Sequence, residues 1–252
     1  SRISSDGLFQ YSVAMMSGEL FEIDAISLEV SRVLNLEQKM EHKHDHSMHH
    51  SMKSGSMTHS KVKPTWVIPH PSNKFLYIAG NGSDEIIEVN LEEWVVSDRF
   101  KTGKGPYNVE ISPNGKYLAI MRAPREDVCD IEQDKIKGVE DMMTYQSLTF
   151  IDLETMQSRV FSDGVGEKSI YGFQWVSDDR FIYRPGLTNA KGRNMNSLVT
   201  FAVNVDGSKR KIIGKQEMKG GQGSWTGISV VDRLDADEDH VIVSSNERRA
   251  FR

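Results

Sequence analysis

Short runs in which apolar and polar residues alternate, separated by turn signals, fill most of this chain. In YNVEISPNGKYLAIMR (107–122), Val109 and Ile111 alternate with polar neighbours. Ser112-Pro113-Asn114-Gly115-Lys116 then supplies a turn, and Tyr117, Leu118, Ala119 and Ile120 resume the apolar run. A period of two is that of a half-buried strand, so the segment predicts strand, turn, strand. Asn-Gly predicts a tight two-residue turn with both central residues at positive φ.

The same unit recurs. Turns at Asp6-Gly7, Ser72-Asn73, Asn114-Gly115, Asp178-Asp179 and Asp237-Glu238 lead into LFQYSVA, FLYIAG, YLAIM, RFIYRP and HVIVSS. A second strand follows with an apolar-plus-acid phrase: ELFEID, EIIEVN, SLTFID and VTFAVNVD. A third short strand closes four units: EVSRVLNL, VVSDRF, QSRVF and KRKII. Gly7 and Asn73 are 66 positions apart, and Asn73 and Gly115 are 42 apart. The shorter interval is the bare repeat and the longer one carries an insertion.

Three or four short antiparallel strands recurring every ~40–50 residues are the signature of a propeller blade. Amphipathic helices are scarce, which argues against a parallel α/β sheet. The predicted fold is therefore all-β, a β-propeller built of three- to four-stranded antiparallel blades. Five partial blades fit, at about 1–36, 64–102, 107–162, 169–214 and 225–252. The first lacks its opening strand and the last its closing strands. A propeller hides its sheet edges by closing its ring, so an incomplete or composite propeller is expected. The start without Met and the end inside a strand at Phe251-Arg252 also predict a fragment.

Two insertions interrupt the repeat. The first, 38–63, lies in a region of blades at 1–122, and is poor in apolar residues but crowded with His, Met, Ser and Lys. The second, 123–144, opens a region at 123–252 and is charged. Its Val128, Ile131, Lys135, Val139 and Met142 have roughly helical spacing, interrupted by Gly138. It reads either as a short amphipathic helix on the rim or as a solvated loop.

Composition narrows the function classes. With 38% hydrophobic and 27% charged residues the chain is ordinary for a globular protein. A net charge of −5 gives no reason to expect nucleic acid as a partner. No apolar run approaches ~18 residues, so no membrane span is predicted. The single Cys129 excludes an intrachain disulfide.

The most unusual chemistry is MEHKHDHSMHHSMKSGSMTHS (40–60). Six of the eight histidines sit here, His42, His44, His46, His49, His50 and His59, together with Met40, Met48, Met52 and Met57. In an extended strand His42, His44 and His46 would share a face, and in a helix His46 and His50 would meet at i, i+4. Neutral imidazole binds Cu(II), Ni(II) and Zn(II), while thioether sulfur selects Cu(I). Mixed His and Met without Cys therefore favours copper, in a labile, multi-site loop. The alternative is a solubilising loop.

Searches for catalytic constellations fail. GQGSWTG (221–227) lacks the spacing of a nucleophile elbow, with Gln222 and Thr226 two positions either side of Ser224. GVGEKS (164–169) has Glu167 between Gly166 and Lys168 and is no phosphate loop. DADEDH (235–240) has His240 where a calcium loop needs its Gly and Asn246 where it needs Glu. His70 and His240 both flank blade turns, and Trp66, Trp94, Tyr107, Phe173 and Trp175 read as packing between blades.

Three resemblances add to this reading. The His/Met tract is similar to the segments of bacterial envelope copper-handling proteins. Residues 18–120 resemble the YVTN-type, lactonase-like propeller family, through KPTWVIPHPSNKFLYIAGNGSDEIIEVNL and TGKGPYNVEISPNGKYLAI. From about 112 onward the chain resembles the N-terminal propeller of the prolyl oligopeptidase family. SLTFIDLETMQSRVF, YGFQWVSDDRFIYRPG, LVTFAVNVDGSKRKIIG and GISVVDRLDADEDHVIVSSNER carry this likeness. The first family implies a periplasmic or secreted location, and some members carry His/Met-rich insertions. The second implies a propeller that gates a separate α/β-hydrolase domain beyond the C-terminus, and no catalytic residue carries over. Two likenesses fit one divergent propeller or a joined chain.

The leading expectation is a noncatalytic binding and scaffold propeller of a bacterial envelope, whose loop binds copper or a similar metal. The alternative is the substrate-gating propeller of a serine peptidase. The expected partners are a metal ion, or a small ligand or peptide.

Overall fold

The repeated strands form from short apolar runs, alternating with polar residues in some and nearly continuous in FLYIAG (75–80) and YLAIM (117–121), and the turns between them satisfy their own backbone with polar side chains. A computed structural model describes residues 1–37, 59–122, 147–161, 170–188, 194–196, 199–215, 218–219, 222–223, 226–232 and 240–247. Among these residues there is no helix. The fold class is all-β, of the β-propeller kind, and the strand pairings within the blades are antiparallel.

The first sheet runs in the order β1 (Arg2–Ile3), β2 (Phe9–Ala14), β3 (Glu19–Asp24), β4 (Val30–Asn35). The second has β5 (Pro64–Pro69), β6 (Phe75–Gly80), β7 (Glu85–Asn90) and β8 (Val95–Lys101). The third has β9 (Pro106–Ile111), β10 (Tyr117–Arg122), β11 (Ser147–Asp152) and β12 (Ser158–Phe161). The fourth has β13 (Ile170–Trp175), β14 (Arg180–Thr188), β16 (Val199–Asn204) and β17 (Lys211–Lys215), with β15 (Asn194–Asn196) paired to β14. Two small hairpins follow: β18 (Met218–Lys219) with β19 (Gln222–Gly223), and β20 (Thr226–Asp232) with β21 (Ile242–Glu247). The first blade does have an opening strand. β1 is only two residues long, too short to show as an apolar alternation.

The chain divides into two compact units, Ser1–Val109 and Glu110–Arg252, the division falling inside β9. In the first unit Tyr11, Leu20, Leu34 and Leu36 of one blade pack with Val67, Leu76, Ile78, Ile87 and Val89 of the next. In the second unit Ala119, Leu148, Phe150 and Phe161 pack with Ile170, Trp175, Phe181, Tyr183 and Val203. Removing this apolar surface from water is the main driving force, at about 25 cal/mol per Å².

The turns are not the two-residue type that Asn-Gly predicts. Gly115 alone has positive φ (82°), and Asn114 does not. The Gly115 N–H donates to the Ser112 carbonyl at 2.9 Å, and the Ser112 N–H to the Tyr117 carbonyl at 2.9 Å. The buried Ser112 hydroxyl accepts from the Tyr117 N–H at 2.9 Å, and the Asn114 carbonyl oxygen accepts from the Lys116 N–H at 2.9 Å. Pro113 supplies a fixed φ and the Asn side chain mimics a backbone turn. Ser4-Ser5-Asp6-Gly7 repeats the device, with the Phe9 N–H on the Ser4 hydroxyl at 2.9 Å and the Leu8 N–H on Asp6 at 3.0 Å.

The Asp or Asn that ends the first three second-strand phrases caps the next turn. Asp24 accepts from the Ile26 and Ser27 N–H groups, Asn90 from Glu92 and Glu93, and Asp152 from Glu154 and Thr155. Four positions on, Leu28, Trp94 and Met156 take left-handed φ of 56–60°. These bulky residues sit where glycine is usual. The Asx cap holds the turn that forces them there.

Candidate functional site

The ends of the His/Met insertion meet at a built stem. Of the sequence-predicted metal ligands, only His59 lies among the described residues, and its side chain is exposed. Met40, His42, His44, His46, Met48, His49, His50, Met52 and Met57 lie outside them, as does the charged segment 123–144.

Four pieces of chain converge on that stem. On the outgoing side the Leu36 N–H donates to the Gly18 carbonyl at 2.9 Å, and Leu36 is fully buried. On the returning side the Ser60 N–H donates to the Met16 carbonyl at 2.9 Å. The two sides join directly, because the Lys61 N–H donates to the Glu37 carboxylate at 2.5 Å. That bond, and then one from the Ser60 side chain, holds Glu37 below the usual carboxylate range. The buried Ser60 hydroxyl also accepts from the Val62 and Lys63 N–H groups at 3.1 and 3.2 Å.

Glycine is required where these pieces touch. Gly18 has φ +73°, and a Cβ there would stand 2.5 Å from the Ser60 Oγ. Gly82 donates its N–H to the Val62 carbonyl at 2.8 Å, and a Cβ on it would collide with the Lys61 carbonyl. Arg99 completes the stem from β8. One of its nitrogens donates to the Leu36 carbonyl and another to Glu85 at 2.7 Å. Burial opposes ionisation of Glu85, but bonds from Ser83, Lys101 and Arg99 outweigh it and leave its pKa lowered. A charge buried with such partners is stable only while all of them stay in place.

A second polar feature lies between the blades of the first unit. Glu22 is 2% exposed and takes a two-point contact from Arg32, at 2.7 Å from Nε and 2.5 Å from Nη2. Arg32 also donates to the Leu91 carbonyl at 3.0 Å, and its guanidinium lies 4.1 Å from the Trp94 ring centre. Tyr11 stands opposite Glu22 in the register. Burial, reinforced by the Glu22 charge, pushes its phenol up to about 12. Tyr11, Glu22 and Arg32 line a cleft of about 340 Å³ with Asp6, Asn73, Lys74 and Asn90. Its polar groups are largely spent on one another, so it reads as blade-to-blade adhesion.

The corresponding cleft of the second unit, about 300 Å³, is lined by Tyr117, Phe150, Asp152, Arg159, Asp179 and Asp206 among others. There Phe150 takes the position of Glu22, and Arg159 pairs with it in the register. Neither cleft brings together a nucleophile, a base and an orienting group.

The remaining residues singled out from sequence fall in structural places. His70 is a turn anchor in the position of Ser4, its Nδ1 2.7 Å from the Ser72 hydroxyl and its ring edge-on to Phe75 and Tyr77. His240 is exposed. Trp94 packs on the first core and Trp175 lies in the second, while the Arg2 guanidinium lies over Trp66 at 4.5 Å. Among the described residues no group of three His, Cys, Asp or Glu side chains is placed to hold a metal ion. No helix among the described residues is long and apolar enough to cross a membrane. The stem residues Gly18, Ser60 and Arg99 carried no sequence signal, because their roles depend on chain returning from the far side of the insertion.

No protein-family model matches the chain, and no curated protein matches it. Solved structures do. Hydrazine synthase of Kuenenia stuttgartiensis is similar over 92% of this chain and 69% of its own, at 13% identity and a TM-score of 0.44. U3-55K is similar over 90% of this chain and 68% of its own, at 9% identity and a TM-score of 0.48. Both scores are too low for either likeness to bear on what this chain does.

Proposed function

We propose that this chain is a noncatalytic binding module in which β-blades carry a metal-binding appendage, residues 40–59, that takes up copper. The observation behind this reading is the stem. Glu37, Lys61, Ser60 and Gly18 close the insertion at its base, so a tract of six histidines and four methionines is attached without interrupting either flanking blade. Imidazole and thioether together accommodate both copper oxidation states, thioether favouring Cu(I). Such a device suits an oxidising, copper-exposed compartment, and we place the protein in the periplasm or outside the cell.

The test is a competitive titration of Cu(I) against a chromogenic chelator. It compares the intact chain with a variant whose tract His and Met residues, 40–57, are replaced by Ser and Gly. The stem at 58–62 must be left untouched, because removing Ser60 would open the blade contact. Loss of most bound copper with unchanged β-sheet circular dichroism supports the reading. Equal stoichiometry and affinity in the two proteins would sink it.

A further inference from the structure

The stem presents two further soft ligands that the histidine pattern does not point to. The turn joining β2 to β3 is Met15-Met16-Ser17-Gly18, and Met15 and Met16 are 44% and 56% exposed. Turn positions ordinarily go to Gly, Asn, Asp, Ser and Pro, and methionine is ordinarily buried. Two successive exposed thioethers in a turn contribute nothing to a core. Their position is fixed by the fold: the Met16 carbonyl accepts the Ser60 N–H at 2.9 Å, which sets exposed His59, the neighbour of Ser60, beside this turn.

We infer that Met15, Met16 and His59 form a Cu(I) site at the foot of the insertion, on the rigid side of the stem. The chemistry is that of two thioethers and one imidazole, a soft, low-coordinate set that selects Cu(I) over divalent ions. The backbone of the turn that carries both methionines is fixed by the Gly18 N–H on the Ala14 carbonyl at 2.9 Å, so two of the three ligands stand on a preformed turn. Preorganisation of this kind lowers the cost of binding. The site would serve as the fixed acceptor to which a labile tract hands its ion. This assignment rests on the copper reading of the tract and narrows where the ion comes to rest.

The experiment uses the intact chain labelled with ¹³C-methyl methionine, titrated with Cu(I) under anaerobic conditions. Met15→Leu and Met16→Leu assign their methyl signals and should leave the fold intact, since both side chains face solvent. The expected result is that both methyls shift within the first equivalent, together with the His59 ring protons. The methyls of buried Met121 and exposed Met156 should stay in place. Met15→Leu/Met16→Leu should weaken the first equivalent by about tenfold or more against a competing chelator. Shifts confined to methionines of the tract would overturn this site while sustaining the tract reading. Shifts at Met15 and Met16 with none in the tract would do the reverse, leaving the stem site without its donor. Equal movement of Met156 would mark nonselective thioether binding and overturn the assignment.

Discussion

The two units solve the same packing problem with different chemistry. Their blades share the same strand order and the same Asx-capped turns, yet the position that holds Tyr11 opposite Glu22 holds Ala119 opposite Phe150. In the first unit the pair recurs one blade on as Tyr77 opposite Glu88, 66 positions later. Glu22 and Glu85 there are buried and bonded to Arg32 and Arg99, and half-buried Glu88 accepts from the Ser97 hydroxyl. In the second unit the same space is filled by rings: Phe150, Phe161, Phe173, Trp175, Phe181 and Tyr183 lie within 5.0–6.4 Å of one another in tilted and edge-on pairs. Ring packing is insensitive to pH and salt. Buried ion pairs add little net stability but lose much when one partner is removed. The polar unit is thus the directional one, and it is the one that carries the His/Met insertion.

The largest effect should come from breaking the aromatic cluster at its centre. Phe181 is fully buried and touches five rings, with Phe150 at 5.0 Å and Phe161 at 5.1 Å. Phe181→Ala should cost about 3–5 kcal/mol through lost transfer energy and the cavity left behind. Hydrogen exchange should show β13, β14 and β16 losing protection well before β5, β6 and β7. Uniform loss across both units would contradict their separate cores. Next comes the ion pair. Glu22→Gln leaves Arg32 without its two-point partner, and because Arg32 is about a third exposed the cost should be smaller, ~2 kcal/mol. Urea unfolding followed by Trp94 fluorescence reads it directly, since Arg32 stacks on that ring.

How far the sequence foretold this depended on whether a feature was local. The blade repeat was legible because period-two alternation and the Asn-Gly and Asp-Gly turns are contiguous in sequence. The acid closing ELFEID and SLTFID was visible as a phrase, but its use as a cap emerges only when Leu28 and Met156 are found at positive φ. The turn type was misread for a related reason. Ser112 and Tyr117 bond across the loop, so four residues lie between them and Asn114 need not leave the ordinary region. β1 was missed because two residues cannot display a period. Of the candidate site, the His/Met tract stands out by composition, whereas Met15 and Met16 acquire meaning only through the Ser60 bond that brings residue 59 back to residue 16.

At the stem, Gly18→Ala combines left-handed φ with a Cβ 2.5 Å from the Ser60 Oγ. It should cost about 1–2 kcal/mol, more than Gly7→Ala, whose added Cβ meets nothing within 4 Å. Thermal melts of the two variants check the difference, and equal shifts would show that the stem contact adds nothing to the φ strain. A smaller, pH-gated effect belongs to Tyr11. Folding holds its phenol protonated up to about 12, against ~10 in an unfolded chain. Its contribution is therefore complete below pH ~10 and disappears as pH rises through 12. Tyr11→Phe should flatten the alkaline limb of the stability profile, while an unchanged limb would shift the burden to Tyr77, whose pKa burial also raises.

The smallest effect is the sharpest test of the comparison, because it uses the same residue type at the same place in both units. Arg32 pairs with Glu22 in the register as Arg159 pairs with Phe150. Arg32 has a carboxylate, a carbonyl and a ring to hold it. Arg159 is exposed, and the acid that feels its charge is Asp206, itself held low chiefly by bonds from Ser208. Arg32→Ala should therefore shift the unfolding midpoint clearly, whereas Arg159→Ala should stay within about 0.5 kcal/mol of the parent. If Arg159→Ala costs as much as Arg32→Ala, the second unit also leans on a buried-type ion pair, and the contrast between a polar and an aromatic unit falls.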